Sequence, residues 1–152
     1  MRTHYCGELG VHDAGKEVTL SGWVDTLRVS GKMSFLLLRD RTGIVQVFLD
    51  KALTEKFQNV KVQSVVTLTG VINKRPANQV KADMKTGEVE VAAKTLEVLN
   101  MAETPLPIEI REDTSTGLDK RLDYRFLDLR RQRSTDIFTV RSKIYALTTA
   151  FF

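Results

Sequence analysis

Residues 34–49 read SFLLLRDRTGIVQVFL. Two apolar runs, 34–39 and 44–49, flank the polar residues Asp40, Arg41 and Thr42, and Gly43 closes the loop where a positive φ is favoured. The pattern predicts a β-hairpin. Upstream, residues 17–25 place Val18, Leu20, Gly22 and Val24 on one face, the period-2 signature of a half-buried strand. Downstream, residues 52–59 have helix-forming composition, with Leu53 and Phe57 four apart. Residues 63–72 and 88–98 predict two more strands, and the basic, polar stretch 73–87 between them predicts a long loop. Three strands, a helix and two strands follow the order of the five-stranded OB barrel. The position of the helix fits an SH3-like or generic Greek-key barrel less well. The expected fold class is therefore mainly β, an OB barrel with one short helix.

The chain then changes character. Residues 1–100 are assigned to the barrel and residues 101–117 to a linker, stiffened by Pro105 and Pro107 and solvated over 111–117. Residues 118–152 are expected to be helical. Leu118, Leu122, Phe126 and Leu129 recur at helical spacing, and Ser134 or Thr135 could cap a second helix. Ile137, Val140, Ile144, Leu147 and Phe151 would form one apolar stripe on it. Such a stripe wants a partner surface, so the chain reads as the front portion of a longer protein, cut inside a second domain.

Composition excludes several classes. Of 152 residues, 42% are hydrophobic and 28% charged, which is ordinary for a globular protein. No apolar run approaches the roughly 18–20 residues of a membrane helix. The N-terminus lacks the apolar core of a secretory signal, so a cytoplasmic, membrane-free protein is expected. One cysteine leaves no internal disulfide framework and no Cys-based zinc site. The net charge of +4 permits nucleic-acid binding without demanding it. No phosphate loop, nucleophile elbow or His-Glu-x-x-His motif is present, and His4 and His12 are too few for a metal site. No catalytic residue and no cofactor is assigned to this chain.

A binding face is easier to argue. On an OB barrel, strands 2 and 3 carry the nucleotide platform, where an exposed aromatic ring offers a base roughly 1–3 kcal/mol. Phe35 and Phe48 lie on those strands, and Phe35 is the better candidate because it stands beside the glycine-bearing segment 29–32. Trp23 is assigned to the core. The amide of Gln46 could read a base edge. Arg28, Lys32, Arg39, Lys74, Arg75 and Lys81 surround the same face and suit phosphates, although Arg39, Asp40 and Arg41 could equally form a local ion-pair network.

These residues add up to a resemblance. Residues 1–9 (MRTHYCGEL), 18–24 (VTLSGWV), 38–47 (LRDRTGIVQV), 83–91 (DMKTGEVEV) and 121–131 (RLDYRFLDLRR) resemble, in this order, the N-terminal region of bacterial-type aspartyl-tRNA synthetases. Residues 99–107 look more like the archaeal branch. The resemblance implies an N-terminal anticodon-binding OB domain, a hinge, and the helical start of a class II catalytic domain. It implies a longer protein, homodimeric, that aspartylates tRNA with ATP and Mg²⁺, its catalytic motifs lying downstream of residue 152. It further implies that Phe35 stacks on the middle anticodon base, that Gln46 hydrogen-bonds that uridine, and that Arg28 contacts the loop. Arg75, Gln79 and Glu90 fall where the family uses Arg, Asn and Glu for the flanking bases, Gln79 being a departure. Residues 26–31 (TLRVSG) also depart from the bacterial Arg-Arg-Arg-Asp-Leu-Gly, which helps to separate the aspartate anticodon from the asparagine one. Whether one tRNA or both is charged is left open by the sequence. The alternatives are an asparaginyl-tRNA synthetase-like relative and a free-standing OB module for single-stranded nucleic acid.

Overall fold

The computed structural model describes residues 1–111 and 115–152. It divides into two compact units, Met1–Thr104 and Pro105–Phe152. In the first, five strands close into a barrel: β1 (Glu17–Ser30), β2 (Met33–Arg39), β3 (Ile44–Leu49), β4 (Val65–Lys74) and β5 (Val89–Asn100). Helix α1 (Lys51–Phe57) joins β3 to β4. The strand order around the barrel is β1-β2-β3-β5-β4, β4 pairing again with β1. All pairings are antiparallel except the short β3–β5 contact, Val47 opposite Val91, which is parallel. The expected OB architecture is the one found.

Closure depends on β1, which extends to Ser30 instead of ending at Asp25. Its first half pairs with β4 and its second with β2, the exchange falling at Trp23. A strand shared by two neighbours must coil sharply. The coil is achieved by a bulge between Val24 and Thr26 and by Gly22, where a Cβ would stand 2.5 Å from the Arg39 carbonyl oxygen. The β1–β2 connection is a tight turn through Gly31 (φ +61°) and Lys32. Gly43 has the positive φ (149°) that its loop position implied.

Inward-facing residues alternate along every strand. Leu20, Leu36, Leu38, Val45, Leu49, Leu68 and Ile72 are fully buried. Helix α1 starts at Asp50, whose carboxylate accepts the Leu53 N–H at 2.9 Å. It adds Phe57 to the core, with Leu53 packed against that cluster. Strand β4 begins two residues later than the alternation suggests. Gln63 takes a left-handed φ of 68°, a conformation that breaks an extended strand, and its N–H donates to the Val24 carbonyl at 2.6 Å.

In the second unit lie α2 (Leu118–Asp123), α3 (Arg125–Asp128) and α4 (Gln132–Phe151). The expected solvated stretch 111–117 falls partly on residues 112–114, which lie outside the described residues. The helical spacing from Leu118 to Leu129 is interrupted at Tyr124 (φ −108°, ψ 44°), and the four apolar residues it names are exposed. Burial goes to Leu127 and Asp128 instead. The Asp128 carboxylate receives Arg121 at 2.7 Å, Arg125 at 2.5 Å and Arg131 at 3.2 Å. The expected Ser134 or Thr135 cap is also corrected: α4 begins at Gln132 without a side-chain cap, and the Thr135 hydroxyl donates back to the Arg131 carbonyl. The α4 apolar residues are exposed, and Phe138 and Tyr145 lie off the expected stripe, so apolar surface runs around the helix. Among the described residues no helix is long and apolar enough to cross a membrane.

Candidate nucleic-acid interface

Alternation puts a second set of β1–β3 residues on the outside of the barrel. Arg28, Phe35 and Phe48 form one cross-strand row, and Thr26, Leu37 and Gln46 form the next. Phe35 and Phe48 are direct cross-strand partners on one face. Their ring centroids are 5.8 Å apart at 58°, so Phe48 buttresses Phe35 while neither ring is fully buried. Phe35 stands at the wall of a groove of about 450 Å³. Arg28, Gln46, Arg75 and Gln79 line the same groove, whereas Phe48 stands behind it.

Gln46 forms the polar floor. It is only 8% exposed, and its amide Nε2 donates to Glu90 Oε2 at 3.2 Å. That bond fixes the amide and leaves its carbonyl oxygen without a donor among the described residues. Arg75 approaches the same Glu90 oxygen at 3.9 Å through Nε and reaches the Gln79 carbonyl through Nη1 at 3.5 Å. Its side chain is 1% exposed, yet Nε and Nη2 make no hydrogen bond. Burial pulls the guanidinium below its ordinary pKa, and the Glu90 charge opposes this. A guanidinium remains cationic in any such site. Arg75 is therefore a buried cation with donors to spare beside the groove.

The opposite wall comes from the β4–β5 connection. Residues Ala77–Gln79 form a short 3-10 turn, and the segment from Lys81 is folded back by the Lys81 N–H to the Gly87 carbonyl. Buried Thr86 anchors it to β3 by donating to the Ile44 carbonyl at 2.6 Å. This brings Asn78, Val80 and Lys81 to the groove.

All seven candidates, Arg28, Phe35, Gln46, Phe48, Arg75, Gln79 and Glu90, thus meet at one place on the barrel. Thr26 and Leu37 were missed. Thr26 lay beyond the expected end of β1, and Leu37 was hidden in a Leu-Leu-Leu run, although it shares the parity of Phe35. Lys32 and Lys74 are exposed but do not line the groove. Arg39 is drawn away: it donates to Asp25 at 3.1 Å and Gln63 at 3.0 Å, so the Arg39–Asp40–Arg41 network does not form. Trp23 is not core. It faces outward, opposite in parity to Val24, and carries the Arg39 guanidinium 5.5 Å above its ring. Among the described residues no group of three or more His, Cys, Asp or Glu side chains could hold a metal ion.

The profile of the tRNA anticodon family, described as an OB-fold nucleic acid binding domain, matches residues 18–99. Among solved structures, asparaginyl-tRNA synthetase from Pyrococcus horikoshii is 29% identical with a TM-score of 0.79, over 97% of this chain and 34% of that one. Aspartyl-tRNA synthetase from Entamoeba histolytica shares the fold at a TM-score of 0.85 and 24% identity, over 99% of this chain and 37% of its own. The barrel alone is similar to the OBody AM2EP06, solved bound to hen egg-white lysozyme. That likeness is 26% identical with a TM-score of 0.59, covering 67% of this chain and 96% of that one. The chain spans about a third of the length of the two synthetases it matches.

Proposed function

This chain belongs to the tRNA anticodon family of OB-fold nucleic acid binding domains, and on that premise we propose that its β1–β3 groove reads a tRNA anticodon loop base by base. The observation that carries this reading is the fixed Gln46 amide beside a half-buried Phe35 whose ring lines the groove. Phe35 offers a π-face for one splayed base, held in place by Phe48. With one N–H committed to Glu90, Gln46 keeps a carbonyl acceptor and a second N–H donor. That pair matches the N3–H and a neighbouring carbonyl of uracil. Arg75 would supply spare donors to base or phosphate oxygens, and Arg28 and Lys81 would hold the backbone. Gln79 and Glu90 would meet the flanking bases, the role that the family resemblance implies for them.

The longer protein proposed from this domain is an aspartate–tRNA ligase of class II, cytoplasmic and homodimeric, using ATP and Mg²⁺. No step of that reaction is assigned to residues of this chain. The 29% identity to a solved asparaginyl-tRNA synthetase favours one second reading, an asparagine-specific or dual-specificity parent.

Fluorescence anisotropy with a labelled stem-loop bearing GUC, beside one whose middle U is changed and one bearing GUU, tests both. Preference for GUC that survives moderate salt supports base readout and the aspartate assignment. Equal preference for GUC and GUU supports a dual-specificity domain, and preference for GUU an asparagine-type one. Equal, salt-sensitive binding to all three would reduce the groove to phosphate attraction.

A further inference from the structure

The outer face does not end at the groove. On β2, Leu37 lines the groove and Arg39 is the next outward residue, about 7 Å further along the strand. Arg39 lies over Trp23, and Trp23 opens a second hollow of about 270 Å³ that also takes in Arg2 and Arg41. Between those two arginines stands Tyr5. Arg2 lies 4.1 Å and Arg41 4.7 Å from the centroid of its ring, and Arg2 also donates to the Tyr5 hydroxyl at 3.1 Å.

The placement is built by the backbone. The Cys6 N–H donates to Asp40 Oδ2 at 2.7 Å and the Gly7 N–H to Thr42 Oγ1 at 2.9 Å, which locks the N-terminal segment onto the β2–β3 loop. Asp40 lines the hollow but is 7% exposed. Its second oxygen is occupied by the Thr42 N–H and hydroxyl, so its charge is turned inward. Arg2 and Arg41, by contrast, are exposed, and neither has a carboxylate partner among the described residues. Two cations are thus oriented by an aromatic ring, beside the strand face that carries the groove, with no carboxylate paired to either among the described residues. Pre-orientation by the ring lowers the entropy lost when a guanidinium engages an anion.

We infer that the Arg2–Tyr5–Arg41 cluster is a second RNA-contact site, which binds phosphodiester groups of the stem flanking the loop whose bases the groove reads. The inference rests on the anticodon-loop reading of the groove and extends its footprint along β1 and β2. The cluster adds affinity and register, not base discrimination, because phosphate contacts carry no sequence information.

The full chain is titrated with the GUC stem-loop and with a five-nucleotide single strand centred on GUC, each across a salt series. In Arg2→Gln/Arg41→Gln, stem-loop affinity is expected to fall roughly tenfold, and the slope of log K against log salt to flatten by about one to two. Affinity for the five-nucleotide strand and the GUC preference stay at wild-type values, and Arg2→Lys/Arg41→Lys recovers most of the loss. Unchanged stem-loop affinity and slope would overturn the inference and leave the groove reading intact. So would equal losses on both RNAs, or a Lys variant as weak as the Gln one, since either would mean that Tyr5 packing and not charge was lost. A wild-type chain that does not distinguish GUC from a changed middle base would remove the groove reading and this inference with it.

Discussion

Phe35 and Gln46 differ in how they depend on their neighbours. Phe35 contributes a ring face, and truncating it removes that face without disturbing the core, since the inward partners are Leu36 and Ser34. Phe35→Ala is expected to weaken GUC stem-loop binding by about 1–3 kcal/mol with an unchanged melting temperature, measured by anisotropy and by differential scanning calorimetry. Gln46 works through Glu90. In Glu90→Ala the amide loses the partner that fixes it, and Arg75 loses its only nearby carboxylate among the described residues. A substantial loss of preference for the middle U is expected, together with lowered stability, because a buried guanidinium is left uncompensated. Cys6 shows the same dependence on surroundings. Burial, reinforced by the Asp40 carboxylate, pushes its thiol well above the ordinary range. Alkylation by iodoacetamide at pH 8 should therefore be negligible in the native chain and rapid once it is unfolded, as mass spectrometry would record.

Elements in this protein are set by a few side-chain contacts at their ends. The groove's far wall depends on Thr86, whose hydroxyl ties the β4–β5 connection to β3. Thr86→Val keeps the shape and removes the donor, leaving the Ile44 carbonyl without that bond, at a cost of about 1–3 kcal/mol. In the second unit, three arginines surround buried Asp128, chiefly through the Arg121 hydrogen bond, and hold its carboxyl below the usual carboxylate range. A depressed folded-state pKa contributes stability that is present above the unfolded value near 4 and is lost as pH falls through the folded value. Helicity of the second unit should accordingly decline below about pH 4. In Asp128→Asn that unit should be destabilised at pH 7 by on the order of 3 kcal/mol, and the acid-dependent part should be flattened. Circular dichroism at 222 nm across pH reads both.

At the scale of the molecule, the barrel owes its closure to β1 and its site to the face that closure turns outward. All five strands and α1 lie within Met1–Thr104. A chain ending at Thr104 is therefore expected to fold cooperatively and to bind the GUC stem-loop within about twofold of the full chain, since the groove's residues all lie inside it. Thermal melts and anisotropy on that fragment would check this.

The β2–β3 hairpin, the succession of elements along the chain and the helix between β3 and β4 were legible in the sequence because alternation, turn residues and helix spacing are local signals. Phe35 and Gln46 were legible as candidates, since a ring and an amide on strands 2 and 3 of an OB barrel suit a base and the family resemblance pointed to the same two positions. Other features depended on which strand lies beside which. The extension of β1 past Asp25, the outward Trp23 and the diversion of Arg39 to Asp25 and Gln63 all follow from one strand being shared by two neighbours. The meeting of Gln46, Glu90 and Arg75 required β3 to lie beside β5, a pairing between residues more than forty positions apart. The Arg2–Tyr5–Arg41 cluster likewise required the N-terminus to dock on the β2–β3 loop. Local pattern dictates the direction in which a side chain points, and only the closed barrel decides what it meets there.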